Sequence, residues 1–161
     1  MIKLKKDSLK FNGFYRGKVL DNADPDNLGR IKIEIFGVFD DIDASSLPWA
    51  VPAFPLFVGS GSGFGNFAVP EVNSHVWAFF EGGDYNQPVY FAEAADAVRG
   101  IPSEALTNYP DRRVMKTKNG IVIYIDDSSK EIKIDHPEGA YILIDETGNV
   151  KIKGTTVHIN P

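Results

Sequence analysis

From residue 119 onward, apolar side chains fall at every second position. Ile121, Ile123 and Ile125 come first, then Ile132 and Ile134, Ile142 and Ile144, Val150 and Ile152, and Val157 and Ile159. Successive side chains of a strand point to opposite faces, so this period of two predicts a ladder of short strands. The alternate positions are polar or charged: Lys133, Asp135, Lys151, Lys153 and His158. Turn-forming residues interrupt the run at Asp126-Asp127-Ser128-Ser129, His136-Pro137-Glu138-Gly139 and Glu146-Thr147-Gly148-Asn149. The apolar pairs recur at intervals of about seven to ten residues, a repeat short enough for a β-solenoid. Such strands make a narrow sheet with one greasy face. That face needs a cover, and the simplest cover is another copy of itself.

The rest of the chain is equally poor in helical signal. It has 15 Gly and 10 Pro in 161 residues, and no segment sustains a period of 3.6. A hydrophobic fraction of 43%, with 11 Phe, 2 Trp and 6 Tyr, is enough to fill a core and argues against global disorder. The expected class is all-β. Residues 1–92 read as a barrel with an N-terminal extension, 93–118 as a connector, and 119–161 as the ladder. Within the first part, strands are expected at Phe14–Leu20, Arg30–Phe36, Trp49–Phe57 (broken by prolines), His75–Glu81 and Pro88–Ala92. In the second strand Ile31, Ile33 and Ile35 face one way and Arg30, Lys32 and Glu34 the other. Five strands joined by turns in some eighty residues suit a small Greek-key barrel of the OB type.

Charge and composition narrow the partners. The net charge of −5 has the wrong sign for a protein that lives on phosphates, so no nucleic-acid partner is expected. The densest basic cluster, Arg112, Arg113, Lys116 and Lys118, reads as solvated linker. Lys3, Lys5, Lys6 and Lys10 make the first ten residues too polar for a signal peptide, and no apolar run reaches the length of a membrane span. There is no cysteine, hence neither a disulfide nor a thiolate metal site, which fits synthesis in a reducing cytosol.

Little in the sequence points to catalysis. The loop Gly59-Ser60-Gly61-Ser62-Gly63-Phe64-Gly65 lacks the Lys-Ser/Thr pair of a P-loop and reads as a strand connection. His75, His136 and His158 share no zinc-ligand spacing, and alternation points His158 outward, so no metal site is expected. Asp40, Asp41, Asp43, Glu81, Asp84, Asp126 and Asp127 cluster in loops, where carboxylates form turns. No Ser sits in a G-x-S-x-G elbow. Neither an enzyme nor a cofactor is expected. Trp49, Trp77, Phe79, Phe80, Tyr85 and Tyr90 resemble a base-stacking platform in kind, but without interleaved Lys or Arg they read as core or subunit interface.

Order and spacing of motifs add a resemblance. "VLDNADPDNLGRIKIEI" (Val19 to Ile35) is similar to the opening of the OB domain of contractile-tail spike proteins, with Asp24, Pro25, Leu28, Gly29 and Arg30 at its motif positions. Trp49 matches that family's tryptophan strand, and Pro70-Glu71-Val72-Asn73 its "pro-glu-val-gly" turn, with Asn73 replacing glycine. "VWAFFEGGD" and "QPVY" match the hairpin that follows, and "YPDRRVMKTKNGIVIYIDD" resembles the start of the spike's β-helix. The resemblance implies an OB-fold five-stranded barrel followed by an intertwined triple-stranded β-helix, formed as a homotrimer. The eleven ladder aliphatics named above would then face the trimer axis.

It further implies a structural, non-catalytic role in a phage tail baseplate, or alternatively in a type VI secretion or other contractile injection apparatus. The barrels would dock on a trimeric hub, and the β-helix would pierce the target cell envelope. Val157, His158, Ile159, Asn160 and Pro161 would form a platform for a tip protein of the PAAR-repeat kind. Two departures matter: only the connector stands where some spikes insert a lysozyme domain, and the iron-binding H-x-H is missing. The rival readings are a monomeric OB module for single-stranded nucleic acid or sugar, and a cell-wall hydrolase component.

Overall fold

The computed structural model describes residues 11–159 apart from 57 and 99. The four N-terminal lysines, Phe57, Asn160 and Pro161 therefore lie outside the described residues. The chain divides into two compact units, Met1–Ala95 and Asp96–Pro161. Both are built of strands.

In the first unit the strands are β1 (Tyr15–Asp21), β2 (Lys32–Ile35), β3 (Val51–Pro52), β4 (His75–Phe80) and β5 (Pro88–Glu93). They form one sheet in the order β2-β1-β4-β5-β3, antiparallel except for the parallel β3–β5 pair. A bridge between Ile31 and Ala50, with N–H to carbonyl distances of 3.0 and 2.7 Å, joins the two ends of that order. The sheet thereby curls into an OB-like barrel. The tryptophan strand is shorter than the sequence suggests. Prolines at 52 and 55 remove ladder donors, and only Val51 and Pro52 pair.

Alternation decides which side chains fill the barrel. Ile31, Ile33 and Ile35 are buried with Val19, Val76, Ala78, Phe80 and Tyr90, while Trp77 and Phe79 lie on the outer face of β4. There Arg16 sits 5.0 Å from the Trp77 ring centre, and Phe14 meets Phe79 and Phe91. Gly17 is the tightest point of the inner face. A Cβ there would run into the Ile33 side chain and come within 2.8 Å of the Glu34 carbonyl oxygen. Gly17→Ala is therefore expected to cost about 1–3 kcal/mol of barrel stability through overpacking, measured by denaturant unfolding. An unchanged midpoint would show that β1 and β2 separate freely.

The second unit is a five-stranded antiparallel meander: β6 (Arg112–Lys116), β7 (Val122–Asp126), β8 (Glu131–Asp135), β9 (Tyr141–Ile144) and β10 (Val150–Lys153). Each strand pairs with its neighbour in sequence, within the one chain. Two expectations change here. The basic cluster read as solvated linker includes a strand: Arg112 to Lys116 pair with β7, and the ladder begins before residue 119. At the other end, β10 stops at Lys153. Val157, His158 and Ile159 have the period of a strand but no partner to pair with, and they lie in irregular backbone.

Candidate assembly interface

The ladder register sorts the meander's side chains into rows that run across the strands. One row is Met115, Ile123, Ile134, Ile142 and Ile152, each directly opposite the next. The second is Ile125, Ile132, Ile144 and Val150, with Arg113 opposite Ile125 at its end. Ile121 precedes β7 on the same parity. In β7 and β8 covered and exposed positions alternate, with the aliphatics at the exposed second and fourth positions, so each contributes two central aliphatics to one face.

Exposure across the sheet is inverted relative to a self-sufficient protein. From Ile123 to Ile152 the aliphatics of the two rows are 39 to 63% exposed. On the opposite face, Tyr124, Glu131, Lys133, Asp135, Tyr141 and Leu143 are half-buried and Val122 is buried. Two lysine ammonium groups sit over one aromatic ring there: Lys133 Nζ is 5.1 Å and Lys153 Nζ 6.0 Å from the Tyr141 ring centre. Lys133 pairs with Asp135 at 2.9 Å, and Lys151 with Asp145 at 2.8 Å. Across β7, β8 and β9 the polar face is covered and the apolar face is not; on β10 both faces, Lys151 and Lys153 included, are exposed.

The start of the meander is locked by a carboxylate. Asp126 is buried and accepts from the Ser129 N–H at 2.9 Å, Arg112 Nε at 2.6 Å and Asn108 Nδ2 at 3.0 Å. Arg112 also stacks 4.3 Å from the centre of the Tyr124 ring. Charged and amide partners hold the Asp126 carboxyl well below the usual carboxylate range, the Ser129 N–H contributing most. Sequence reasoning placed Asp126 in a turn and missed this pairing, because its cation lies fourteen residues upstream.

In the first unit the motif residues form a second lock. Asp24 is buried, and its carboxylate accepts from the N–H groups of Asp26, Leu28 and Arg30 and from Arg30 Nε at 3.0 Å and its terminal nitrogen. Arg30 in turn lies 5.6 Å from the centre of the Trp49 ring, which Lys32 at the start of β2 approaches to 5.0 Å. Gly29 takes a left-handed conformation (φ 76°), and its carbonyl accepts from the Tyr90 hydroxyl at 2.5 Å. Burial pushes the Tyr90 phenol up to about 12. Pro25 and Leu28 are exposed in the turn.

The second motif turn lies beside β1: the Pro70 carbonyl accepts from Asn22 at 3.0 Å, and the Glu71 carbonyl from the Ser74 N–H at 3.0 Å. Asn73 has φ 71°, the left-handed geometry that favours glycine and that asparagine tolerates best among other residues. Its replacement of glycine at this position keeps the turn.

The Arg30 guanidinium is the main reason that the Asp24 carboxyl titrates well below its ordinary 3.8. A depressed carboxylate stabilises the fold above the unfolded value, and the stabilisation is lost as pH falls toward the folded value. The stability gap between the native barrel and Asp24→Asn is therefore expected to be widest near neutrality and to narrow below about pH 4. Denaturant midpoints at pH 7, 4 and 3 check this. A gap that is constant with pH would mean that Asp24 is not ionised by its setting.

Several other predicted features have plain structural roles. Asp40 accepts from the Gly37 N–H, Asp43 from the Ser45 N–H and Asp84 from the Asn86 N–H. His75 lies in β4 and His136 and His158 belong to the second unit, and among the described residues no group of three His, Asp or Glu side chains is placed to hold a metal ion. Of the predicted tip platform, Val157, His158 and Ile159 are exposed. No helix of the described residues is long and apolar enough to cross a membrane.

Comparison with known proteins bears on the first unit. No curated protein matches the chain at a significant level. Residues 15–93 match the family described as the type VI secretion system/phage-baseplate injector OB domain. The match begins at the first residue of β1 and ends at the last of β5, and it contains both motif turns and the Asp24–Arg30 lock. The match covers 79 of the 161 residues, just under half of the chain, and makes the first unit similar to the type VI secretion system/phage-baseplate injector OB domain.

Proposed function

We propose that the chain is the non-catalytic spike of a contractile injection machine, working as a homotrimer whose barrels dock on a trimeric hub and whose ladder forms a shaft driven into the target cell envelope. The similarity of residues 15–93 to the injector OB domain supports a structural role in a phage baseplate or a type VI secretion apparatus. The observation that carries the finer reading is the inverted exposure of β7, β8 and β9, with the aliphatic rows open and the opposite face covered. A contiguous apolar strip of this size marks an interaction surface.

The dimensions of the strip favour three copies. Five-residue strands such as β7 and β8 span roughly 17 Å, and a triangle of that side keeps each face about 5 Å from its centre, half the ~10 Å spacing of packed sheets. Three such faces fill their shared axis with two aliphatics per strand and leave no apolar row open. Two faces packed as a sandwich leave the sides of the strip wet. The distal end of the shaft, near Val157 to Ile159, is the proposed seat of a tip protein.

Light scattering on the purified chain tests the reading. The expected mass is that of three chains, and a mass of one chain overturns it. Peptidoglycan zymography tests the absence of catalysis, and clearing by the pure chain would reverse that part of the proposal.

A further inference from the structure

We infer that each chain supplies one whole face of the shaft as an intact antiparallel sheet, with no strands interleaved between copies. This rests on the trimeric reading above and replaces the intertwined arrangement that the resemblance implies. The argument comes from the connections between strands. In the turns Thr117–Ile121, His136–Ala140 and Asp145–Asn149, the first N–H donates to the fifth carbonyl at 2.9, 2.8 and 3.0 Å. In each, the fourth residue is a glycine with φ between 83 and 90°, and its N–H returns to the first carbonyl at 3.0, 2.9 and 2.8 Å.

These are three copies of one tight hairpin, a turn followed by a left-handed glycine. Asp145 reinforces its own copy by accepting from the Thr147 and Asn149 N–H groups, both at 3.0 Å. The remaining connection, between β7 and β8, is also a closed reversal, with Lys130 left-handed at φ 53° and Asp126 opposite Glu131.

A hairpin of this kind reverses the chain onto the strand about 4.8 Å away in the same sheet. An interleaved triple helix needs the opposite. There the chain must bend at a corner and proceed to the next face, so that adjacent strands in a sheet come from different copies. Four reversals in succession leave no place for such a corner between residues 112 and 153. All ladder hydrogen bonds of this segment therefore stay inside one chain. The contact between copies consists of side chains alone, which is why the two aliphatic rows must be continuous.

The chain has no native cysteine, so a designed pair reports cleanly. Lys133 and Leu143 are directly opposite each other on the outer face of β8 and β9. Counted from the bonded pair His136–Ala140, they form a non-hydrogen-bonded pair, with the ~4.5 Å Cα separation that a disulfide accepts. K133C/L143C should be oxidised and run on a denaturing, non-reducing gel beside a native mass measurement. The expected result is a particle of three chains that migrates entirely as single chains, with its thiols consumed. Covalent dimers or trimers from a three-chain particle would overturn the inference and leave the trimeric reading standing. Thiols that stay free would overturn the register on which the inference rests. A native mass of one chain for the unmodified protein would overturn the assembly itself, whichever disulfide forms.

Discussion

Ile134→Asp is expected to convert a particle of three chains into single chains at micromolar concentration. Ile134 sits mid-row between Ile123 and Ile142, on the central strand of the meander. About half of each row aliphatic is already covered by its neighbours, so assembly gains roughly 0.7–1.5 kcal/mol per side chain. Over the eight from Ile123 to Ile152 this sums to about 6–12 kcal/mol per chain. A carboxylate at position 134 removes one of these contributions and places three like charges around one axis. Each charge must also give up its hydration to enter the apolar strip, a cost larger than the contact it replaces. The barrel is a separate compact unit and should be unaffected. Both tryptophans, Trp49 and Trp77, lie within it, so their fluorescence reports on the barrel alone. Lys133→Asp, one residue away but on the outer face, is the control and should leave three-chain particles. Three-chain particles from Ile134→Asp would mean that this face does not look inward.

In the barrel, Asp24→Ala is expected to be the most damaging substitution of a polar side chain. It strips five hydrogen bonds from one loop and leaves the Arg30 guanidinium without its buried partner. Removing one member of a buried ion pair costs more than the pair contributes, because the other charge stays desolvated. The three N–H groups of Asp26, Leu28 and Arg30 are stranded at the same time, and Arg30, 5.6 Å from the Trp49 ring centre, loses the carboxylate that orients it there. The denaturant midpoint should fall well below that of Gly17→Ala, with the fluorescence of the folded state altered as well. Arg30→Ala should be milder, since the three backbone donors keep their acceptor. Equal midpoints for native protein and Asp24→Ala would show that the loop is held by its glycine and proline alone.

Local chemistry made most of this fold legible before any coordinates. Alternation placed Ile31, Ile33 and Ile35 on one side of their strand, the side the core occupies, and the ladder aliphatics from Ile123 to Ile152 on one face. Side-chain direction in a strand depends only on parity. Glycine-bearing turns marked the hairpins for the same reason. What stayed hidden depends on partners. β6 reads "RRVMK", with Val114 and Met115 adjacent, so its period is masked until β7 pairs with it. Val157 and Ile159 show the reverse case, a correct period without a strand to receive it. Parity is also silent on whose strand lies alongside, which is why an intertwined shaft and a whole-face shaft look alike in sequence. The Asp24–Arg30 lock was visible as a motif, whereas Arg112–Asp126 joins residues from what looked like different regions.

The repeated glycine hairpin also bears on how such a chain changes over generations. Every strand of the meander presents nearly the same cross-section, so a duplicated hairpin would enter the stack without disturbing the rungs above or below it. In a shaft of the proposed kind, each added pair of strands would add about 9–10 Å, the height of two ladder spacings. Length is then a heritable variable that can be tuned in whole steps, independently of the barrel.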